Sequence, residues 1–297
     1  MRILVTGGQG RLGKIIAQHL HDNGHKVVVT DTVPQYNLAT HRPSYPYVRA
    51  NLVDFGETIQ VLSHCDHIAS APFDAVVHLA AIPAPGLTTN SVVFQTNMMS
   101  TYNVFEACRQ LKIKNIIYAS SETVLGIPMW LPGTTPSSVP VDESIELPES
   151  SYSLSKYLSE KMAEQYARRD PDLKILGFRF SNVITAEEYA TFDSFSVDAA
   201  SVMSRAWNFW GYIDARDASD AVLKGLTAPI KGAEVFIIAN EDTCMRIPNS
   251  ELLKTYFNGK VTLKPGTGEF ETLLSIDKAK RMLGYKPQPT RWRKSKL

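Results

Sequence analysis

The sequence lacks the features that would tie a protein to a membrane or to an oxidising compartment. No apolar run approaches the ~18 residues of a transmembrane helix, and Met1-Arg2 leads directly into a predicted strand, so no signal peptide is expected. The cysteines Cys65, Cys108 and Cys244 are odd in number and widely spaced. This argues against a disulfide framework and a metal site, and we expect a cytoplasmic protein without a membrane partner or a metal.

An excess of charge of one sign is also missing. With 31 basic and 30 acidic residues the formal net charge is +1, so no global field draws the chain to nucleic acid. The exception is the basic end, with Arg291, Arg293, Lys294 and Lys296, which we interpret as a solvated tail. The final Ser-Lys-Leu matches a peroxisomal address, which has meaning only in a eukaryotic protein.

Short apolar runs alternate with helical stretches along the first 180 residues. The pattern predicts strands at residues 3–5, 27–30, 47–50, 75–79, 115–120 and 174–180. Between them it predicts helices at residues 11–23, 55–68, 91–111 and 153–168. Such alternation is typical of the α/β class, here a Rossmann-type doubly wound parallel sheet.

The alternation of strands and helices becomes irregular after residue 180. We therefore place the boundary between two predicted domains there. Residues 1–180 are expected to form a dinucleotide-binding Rossmann domain, and residues 181–297 a small substrate-binding region partly interleaved with it. The Pro- and Ser-rich residues 128–148 predict a surface loop.

A glycine motif, Gly8-x-Gly10-x-x-Gly13, follows the first strand and opens the first helix. In this context it predicts a dinucleotide site, because glycines let the backbone approach a pyrophosphate and the helix N-terminus offers free N–H groups. Asp31, at the end of the second strand, can accept both ribose hydroxyls and would repel a 2′-phosphate, which favours NAD over NADP. A turn role for Asp31 stays open, and Arg11 is the residue that would help to tolerate a phosphate.

A second motif, Tyr152-x-x-x-Lys156, predicts proton transfer beside a hydride acceptor. A phenol has an unperturbed pKa of ~10, so Tyr152 needs the ammonium of Lys156, one helical turn away, to act as a base near neutral pH. Ser121, at the end of the fifth strand, can donate a hydrogen bond to the reacting oxygen. Asn97 carries a proton-relay water or braces the neighbouring strand.

Further segments match one family pattern. They are Thr6-Gly7-Gly8-x-Gly10-x-x-Gly13, Asn51-Leu52, His78-Leu79-Ala80-Ala81, Ser120-Ser121-Glu122-Thr123-Val124-Leu125-Gly126, Phe178-Arg179-Phe180-Ser181-Asn182-Val183 and Tyr212-Ile213-Asp214-Ala215-Arg216-Asp217-Ala218. With these motifs the chain resembles the extended short-chain dehydrogenase/reductase family, the group of sugar epimerases and dehydratases, from Met1 to about Thr227. It departs from the pattern at Asn51, where Asp is usual, and at Leu125, where Tyr is common.

The resemblance implies the site residues. The catalytic set is Ser121, Tyr152 and Lys156. NAD is expected to be held by Gly7, Gly10, Arg11, Leu12, Gly13, Asp31, Asn51, Leu52, Leu79, Ala80, Ala81, Asn97, Tyr152, Lys156 and Phe180. The substrate is expected to contact Ser121, Glu122, Asn182 and Arg216. Relatives often form homodimers through the helices that correspond to residues 91–111 and 153–168, and we expect the same here.

The departures from the family pattern argue against some of the reactions that the family catalyses. Dehydratases need two acidic residues after the Ser/Thr, and Thr123 stands in the second position, so dehydration is not expected. Residues 184–211 contain one basic residue, Arg205, which makes a poor diphosphate site unless Arg216 or Lys264 contributes.

We therefore expect an NAD-dependent dehydrogenase of a small polyhydroxylated substrate, a free sugar or uronate. The alternative is a UDP-sugar 4-epimerase with bound NAD. A cofactor-sensing protein without turnover is a third hypothesis, against which the intact Ser/Tyr/Lys set argues.

Overall fold

The computed structural model describes residues 1–33, 45–64, 73–127 and 135–288. The basic tail with its final Ser-Lys-Leu, Cys65 and the end of the helix predicted at 55–68 lie outside the described residues. Within the described ranges, no helix combines the length and the apolar character that crossing a membrane requires.

Eleven strands are found in the described part of the chain. They are β1 (Arg2–Thr6), β2 (Lys26–Asp31), β3 (Tyr47–Arg49), β4 (Ala75–His78), β5 (Asn115–Ser121), β6 (Ser138–Val139), β7 (Lys174–Phe180), β8 (Val183–Ile184), β9 (Ile213–Asp214), β10 (Gly232–Ile238) and β11 (Thr262–Leu263). Seven of them form one sheet in the order β10-β7-β5-β4-β1-β2-β3, and β6 pairs with β11 and β8 with β9.

The first four α-helices that the structure describes follow the predicted alternation, and the other four lie after residue 198. They are α1 (Arg11–Asp22), α2 (Phe55–His64), α3 (Asn90–Gln110), α4 (Ser151–Arg169), α5 (Ala199–Met203), α6 (Ala215–Thr227), α7 (Asn249–Tyr256) and α8 (Asp277–Leu283). Strand β1 pairs in parallel with β2 and β4, β2 with β3, and β4 with β5. The predicted Rossmann-type sheet is therefore confirmed. Its strand order reverses at β1, and ligands of such sheets bind beyond the carboxyl ends of the strands at that point.

The central strands are buried along their whole length. In β1, Ile3, Leu4 and Val5 are fully buried, and the three valines of β2 are nearly so. Continuous runs of β-branched and aliphatic residues suit parallel strands that are covered on both faces. Helix α1 contributes Ile16, Ala17 and Leu20, which recur at helical spacing on its buried side.

The chain divides into two compact units, each made of three segments. The first unit is Met1–Ser120, Ser150–Phe178 and Ser219–Val235, and it holds most of the large sheet. The second unit is Ser121–Glu149, Arg179–Ala218 and Phe236–Leu297.

The surface loop expected at residues 128–148 is only partly one. Residues 128–134 lie outside the described ranges, but Val139 of β6 and the nearby Val141 are buried in the second unit. The buried Arg179 donates from Nη1 to the backbone oxygens of Glu143 (3.1 Å) and Ile145 (3.0 Å). Ser144, Glu146 and Leu147 of this segment are exposed, so it lies at the surface, and the two valines and the contacts of Arg179 fix parts of it to the second unit.

Candidate active site

The glycine motif forms a close-packed cradle in the first unit. Gly7 has a φ of 67°, and a Cβ there would lie 2.7 Å from the backbone nitrogen of Ala80. A Cβ on Gly13 would lie 2.2 Å from the backbone oxygen of Gly7. Gly10 is the N-cap of α1 and provides no side-chain cap, so the first N–H groups of the helix are not capped by it. The cradle therefore fits the pyrophosphate of a dinucleotide.

Asp31 ends β2 beside this cradle. Its Oδ2 accepts from the backbone nitrogen of Gln9 (2.9 Å), inside the glycine motif. Its Oδ1 accepts from the backbone nitrogens of Thr32 (2.7 Å) and Val33 (3.3 Å). These contacts give Asp31 the turn role, and its contact with a ribose stays a prediction. Arg11 is exposed in the first turn of α1.

The segment after β4 is fixed to the start of the cradle. Thr6 Oγ1 accepts from the backbone nitrogens of Leu79 (3.1 Å) and Ala80 (3.2 Å) and lies 2.8 Å from His78 Nδ1. Burial, together with a smaller effect of the charge of Lys156, lowers the pKa of His78 to about 3, so the ring is neutral. The motif residues Leu79 and Ala80 therefore lie next to the glycine loop, and their contact with the cofactor stays a prediction.

Asn97, on α3, braces the loop that follows. Its Oδ1 accepts from the backbone nitrogen of Ile82 (2.8 Å), and its Nδ2 donates to the Ile82 oxygen (3.1 Å) and lies 3.4 Å from Ser155 Oγ. Of the two roles open for Asn97, these contacts favour the bracing role.

Asn51 and Leu52 follow β3. Asn51 Oδ1 accepts from the Val53 nitrogen (3.2 Å), and Leu52 is buried, with its backbone oxygen accepting from Asn103 Nδ2 (2.9 Å). These contacts order the segment, and the contact with adenine stays a prediction.

The Tyr-x-x-x-Lys pair lies at the start of α4. The helix begins with a capping box, in which Ser150 Oγ accepts from the Ser153 nitrogen (3.0 Å) and Ser153 Oγ accepts from the Ser150 nitrogen (2.9 Å). Tyr152 and Lys156 are both buried, and Lys156 Nζ lies 5.7 Å from the centre of the Tyr152 ring. The structure therefore brings this predicted pair together.

Lys156 is anchored by the backbone of β5. Its Nζ donates to the Ala119 oxygen (2.8 Å). Burial lowers the pKa of Lys156 to about 8, while the carboxylate of Glu160 opposes the fall. The ammonium therefore prevails at neutral pH, where it favours the ionised form of a nearby phenol.

Glu160 is a residue that the sequence reasoning missed. It follows Lys156 by four residues on α4, is almost fully buried, and accepts a 2.5 Å hydrogen bond from Ser120 Oγ. The spacing of Tyr152, Lys156 and Glu160 was the available signal, because residues four apart share one face of a helix.

Ser121 belongs to the second unit and is the last residue of β5. It is the N-cap of a short 3-10 helix, Glu122–Leu125. Its Oγ accepts from the Thr123 nitrogen (3.2 Å) and from Thr123 Oγ1 (3.0 Å). Because both contacts use the oxygen as an acceptor, the hydroxyl proton is available for donation, which suits the predicted role of Ser121.

Glu122 is a buried carboxyl group in the second unit. Its Oε2 accepts from Ser181 Oγ (2.5 Å) and its Oε1 from Asn208 Nδ2 (3.1 Å). Burial raises the pKa of Glu122 to about 7, although these hydrogen bonds and the charge of Arg205 oppose the rise. The geometry gives Glu122 an internal bracing role, and its contact with a substrate stays a prediction.

Asn182 and Arg216, expected at the substrate, lie in the second unit, as does Phe180, which is expected at the cofactor. Phe180, at the end of β7, is buried, and the backbone oxygen of Asn182 accepts from the Ile213 nitrogen (2.9 Å). Arg216 is exposed, but its Nε and Nη2 donate to the fully buried carboxylate of Asp214 at 2.9 and 2.6 Å. Tyr189 also donates to Asp214 Oδ2. The charge of Arg216 is therefore largely compensated within the protein.

The chain is similar to proteins of one family, both in sequence and in structure. The model of the NAD dependent epimerase/dehydratase family matches residues 3–239. The UDP-glucose 4-epimerase of Caenorhabditis elegans is 27% identical over 63% of this chain and 56% of its own length, so the match spans little more than half of that relative.

Two solved structures are similar over almost the whole chain. A crystal structure of UDP-galactose 4-epimerase is 25% identical, with a TM-score of 0.68, covering 98% of this chain and 95% of its own. A short-chain dehydrogenase/reductase superfamily protein from Agrobacterium tumefaciens, with bound NAD, has a TM-score of 0.71 at 21% identity, covering 99% of this chain and 95% of its own. At that identity the second likeness shows the fold alone.

Proposed function

We propose, for a chain that belongs to the NAD-dependent epimerase/dehydratase family, an oxidoreductase that takes a proton from a sugar hydroxyl through Tyr152. The observation that carries this proposal is the buried Tyr152–Lys156 pair in the same unit as the glycine cradle. NAD, when bound, supplies the hydride acceptor.

The residues of the chain divide the proton chemistry among them. Tyr152 removes the hydroxyl proton, and Lys156 stabilises the resulting phenolate electrostatically. Ser121 donates its hydroxyl proton in a hydrogen bond to the reacting oxygen. With Tyr152 alone the phenol, whose ordinary pKa is ~10, would be a poor base at neutral pH.

The cofactor in this proposal is NAD rather than NADP. The cradle from Gly7 to Gly13 would hold the pyrophosphate, and Asp31 would accept the ribose hydroxyls and repel a 2′-phosphate. The remaining residues proposed to contact the cofactor are Asn51, Leu52, Leu79, Ala80, Ala81, Asn97 and Phe180.

The first candidate reaction is 4-epimerisation of a nucleotide sugar. It inverts one carbinol carbon without net oxidation, and its support is that two of the similar proteins are a UDP-glucose 4-epimerase and a UDP-galactose 4-epimerase. The comparisons thus favour this reaction over the net oxidation that we expect from the sequence.

Net oxidation of a free sugar or uronate is the second candidate, because Arg216, Lys264 and Arg205 each have a partner within the protein. Arg216 is held by Asp214, and Lys264 Nζ lies 4.0 Å from Asp142 Oδ2. The guanidinium of Arg205 stacks over the rings of Phe195 and Trp207, 5.2 and 5.3 Å from their centres. A substrate without a diphosphate needs none of these charges.

The test incubates the purified protein with NAD and a panel of substrates. UDP-galactose formed from UDP-glucose without net NADH supports epimerisation, whereas NADH absorbance at 340 nm with an aldose or uronate supports net oxidation. Tyr152→Phe is the control and should abolish either activity. If the wild type converts no substrate of the panel, and Tyr152→Phe binds NAD as well as the wild type does, the protein is a cofactor sensor and the proposal is wrong.

We also propose that two copies associate through α3 and α4. Val92, Met99 and Tyr102 lie toward one side of α3 and are exposed, as is Leu154 on α4. An exposed apolar patch of this kind is typical of an interaction surface. Light scattering of the wild-type protein and of Met99→Glu tests this, and a wild-type monomer would exclude the dimer.

A further inference from the structure

Helix α4 places a third ionisable side chain in line with the catalytic pair. Tyr152, Lys156 and Glu160 follow one another at four-residue spacing, and their exposed fractions are 7%, 5% and 1%. Residues four apart share one face of a helix. A buried carboxylate is costly unless it is paired and hydrogen-bonded, and the proposed reaction gives Glu160 no task.

Consecutive residues of β5 hold the two charged groups. Lys156 Nζ donates to the Ala119 oxygen at 2.8 Å, and Ser120 Oγ donates to Glu160 Oε1 at 2.5 Å. All of these residues lie in the first unit. The ammonium and the carboxylate are therefore fixed to the same short stretch of strand, one helical turn apart.

Ionisable side chains lie near Lys156 on two elements. Tyr152 and Glu160 share its face of α4, and His78 on β4 is kept neutral by burial, with a pKa of about 3. Burial lowers the pKa of Lys156 to about 8, and Glu160 is the charge that opposes this fall. Without Glu160, burial would act unopposed and the ammonium would lose its proton closer to neutral pH.

We propose that Glu160 is a positioning residue that keeps Lys156 protonated in its buried place, so that Lys156 can stabilise the phenolate of Tyr152. This inference rests on the proposed function of the Tyr152–Lys156 pair. Glu160 acts through Lys156 and contacts neither substrate nor cofactor in this scheme.

The experiment measures the titration of the Lys156 ammonium directly by nitrogen-15 NMR of the full chain. In Glu160→Gln, the pKa of Lys156 should fall by about one or more, as expected from the attraction of unit charges one helical turn apart. Glu160→Asp keeps the charge and should restore most of the wild-type value. An unchanged Lys156 titration in folded Glu160→Gln overturns the proposal.

Two further variants keep the test decisive. Ser120→Ala removes the hydrogen bond to Glu160 but leaves both charges, so the pKa of Lys156 should stay near that of the wild type. A fall as large as that in Glu160→Gln would assign the effect to packing and overturn the proposal. Should Glu160→Gln not fold, Glu160→Met places another uncharged side chain at this buried position, and the pKa of Lys156 should fall there as well. An unchanged Lys156 titration in folded Glu160→Met would also overturn the proposal.

These measurements need no turnover, so they are separate from the test of the proposed function. If Lys156 responds to Glu160 but no sugar is converted, the coupling stands and the reaction is wrong. If a sugar is converted and the pKa of Lys156 is the same in Glu160→Gln as in the wild type, the proposed reaction stands and the positioning role is wrong.

Discussion

When the buried Glu122 is replaced by Gln, the free energy of unfolding should rise with pH relative to that of the wild type. Glu122 is 3% exposed, and both of its oxygens accept from the neutral groups Ser181 Oγ and Asn208 Nδ2. Burial raises its pKa from the ordinary 4.5 to about 7. Gln has nearly the same shape and can still accept one of these hydrogen bonds, but it carries no charge at any pH.

The sign follows from proton binding. Between the two pKa values the folded protein keeps a proton on Glu122 that the unfolded chain has lost, so the stability contributed by this proton falls as the pH rises. The contribution is fully present below about pH 4.5 and is lost above about pH 7. The separation of the two pKa values corresponds to about 3 kcal/mol, at ~1.36 kcal/mol for each pKa unit.

Urea unfolding of both proteins between about pH 4 and pH 8 measures the effect. The free energy of unfolding of Glu122→Gln, relative to the wild type, should rise by about 3 kcal/mol over this range. Glu187→Gln is the control of opposite sign, because hydrogen bonding to Thr185 lowers the pKa of the exposed Glu187. Parallel profiles for Glu122→Gln and the wild type would refute the reasoning.

Three further predictions concern the first unit. Gly13→Ala should abolish NAD binding measured by calorimetry, because its Cβ would lie 2.2 Å from the backbone oxygen of Gly7. Gly10→Ala should weaken NAD binding less, because its Cβ would lie 3.2 Å from the same oxygen. Lys174→Met should lower the unfolding free energy by about 2 kcal/mol, since three backbone oxygens lose a buried charged donor. The exposed ion pair of Lys231 makes Lys231→Met a control within ~0.5 kcal/mol. Asn97→Leu should reduce both stability and NAD affinity, because it leaves the backbone groups of the loop after β4 unpaired.

The large sheet was predictable because its strands carry their signal locally. Continuous aliphatic runs such as those of β1 and β2 are typical of strands buried on both faces, and the helix expected at 91–111 is found at Asn90–Gln110. The pairing of β6 with β11 was not predictable. Each has two residues, and the pair joins segments more than 120 residues apart, so no local period reveals it.

The candidate site shows the same division between local and long-range information. Tyr152 and Lys156 meet because helical spacing alone places them on one face, and the glycine cradle follows from its position between a strand and a helix. Glu122 is different. Its hydrogen-bond partners Ser181 and Asn208 lie 59 and 86 residues further along the chain, and its raised pKa comes from burial that no motif displays.

Counting basic residues overstates how much anionic charge the second unit can bind. From the sequence alone, Arg216 counts as one more cation that could bind a diphosphate. In the structure, the Asp214 carboxylate accepts from Nε and Nη2 of Arg216 and also from the Arg216 backbone nitrogen (2.7 Å). Paired guanidinium and carboxylate groups nearly cancel at a distance, so a diphosphate would gain little from Arg216 unless Asp214 released it. The two candidate reactions therefore differ in a structural requirement, because a nucleotide sugar needs uncompensated donors that a free sugar or uronate does not.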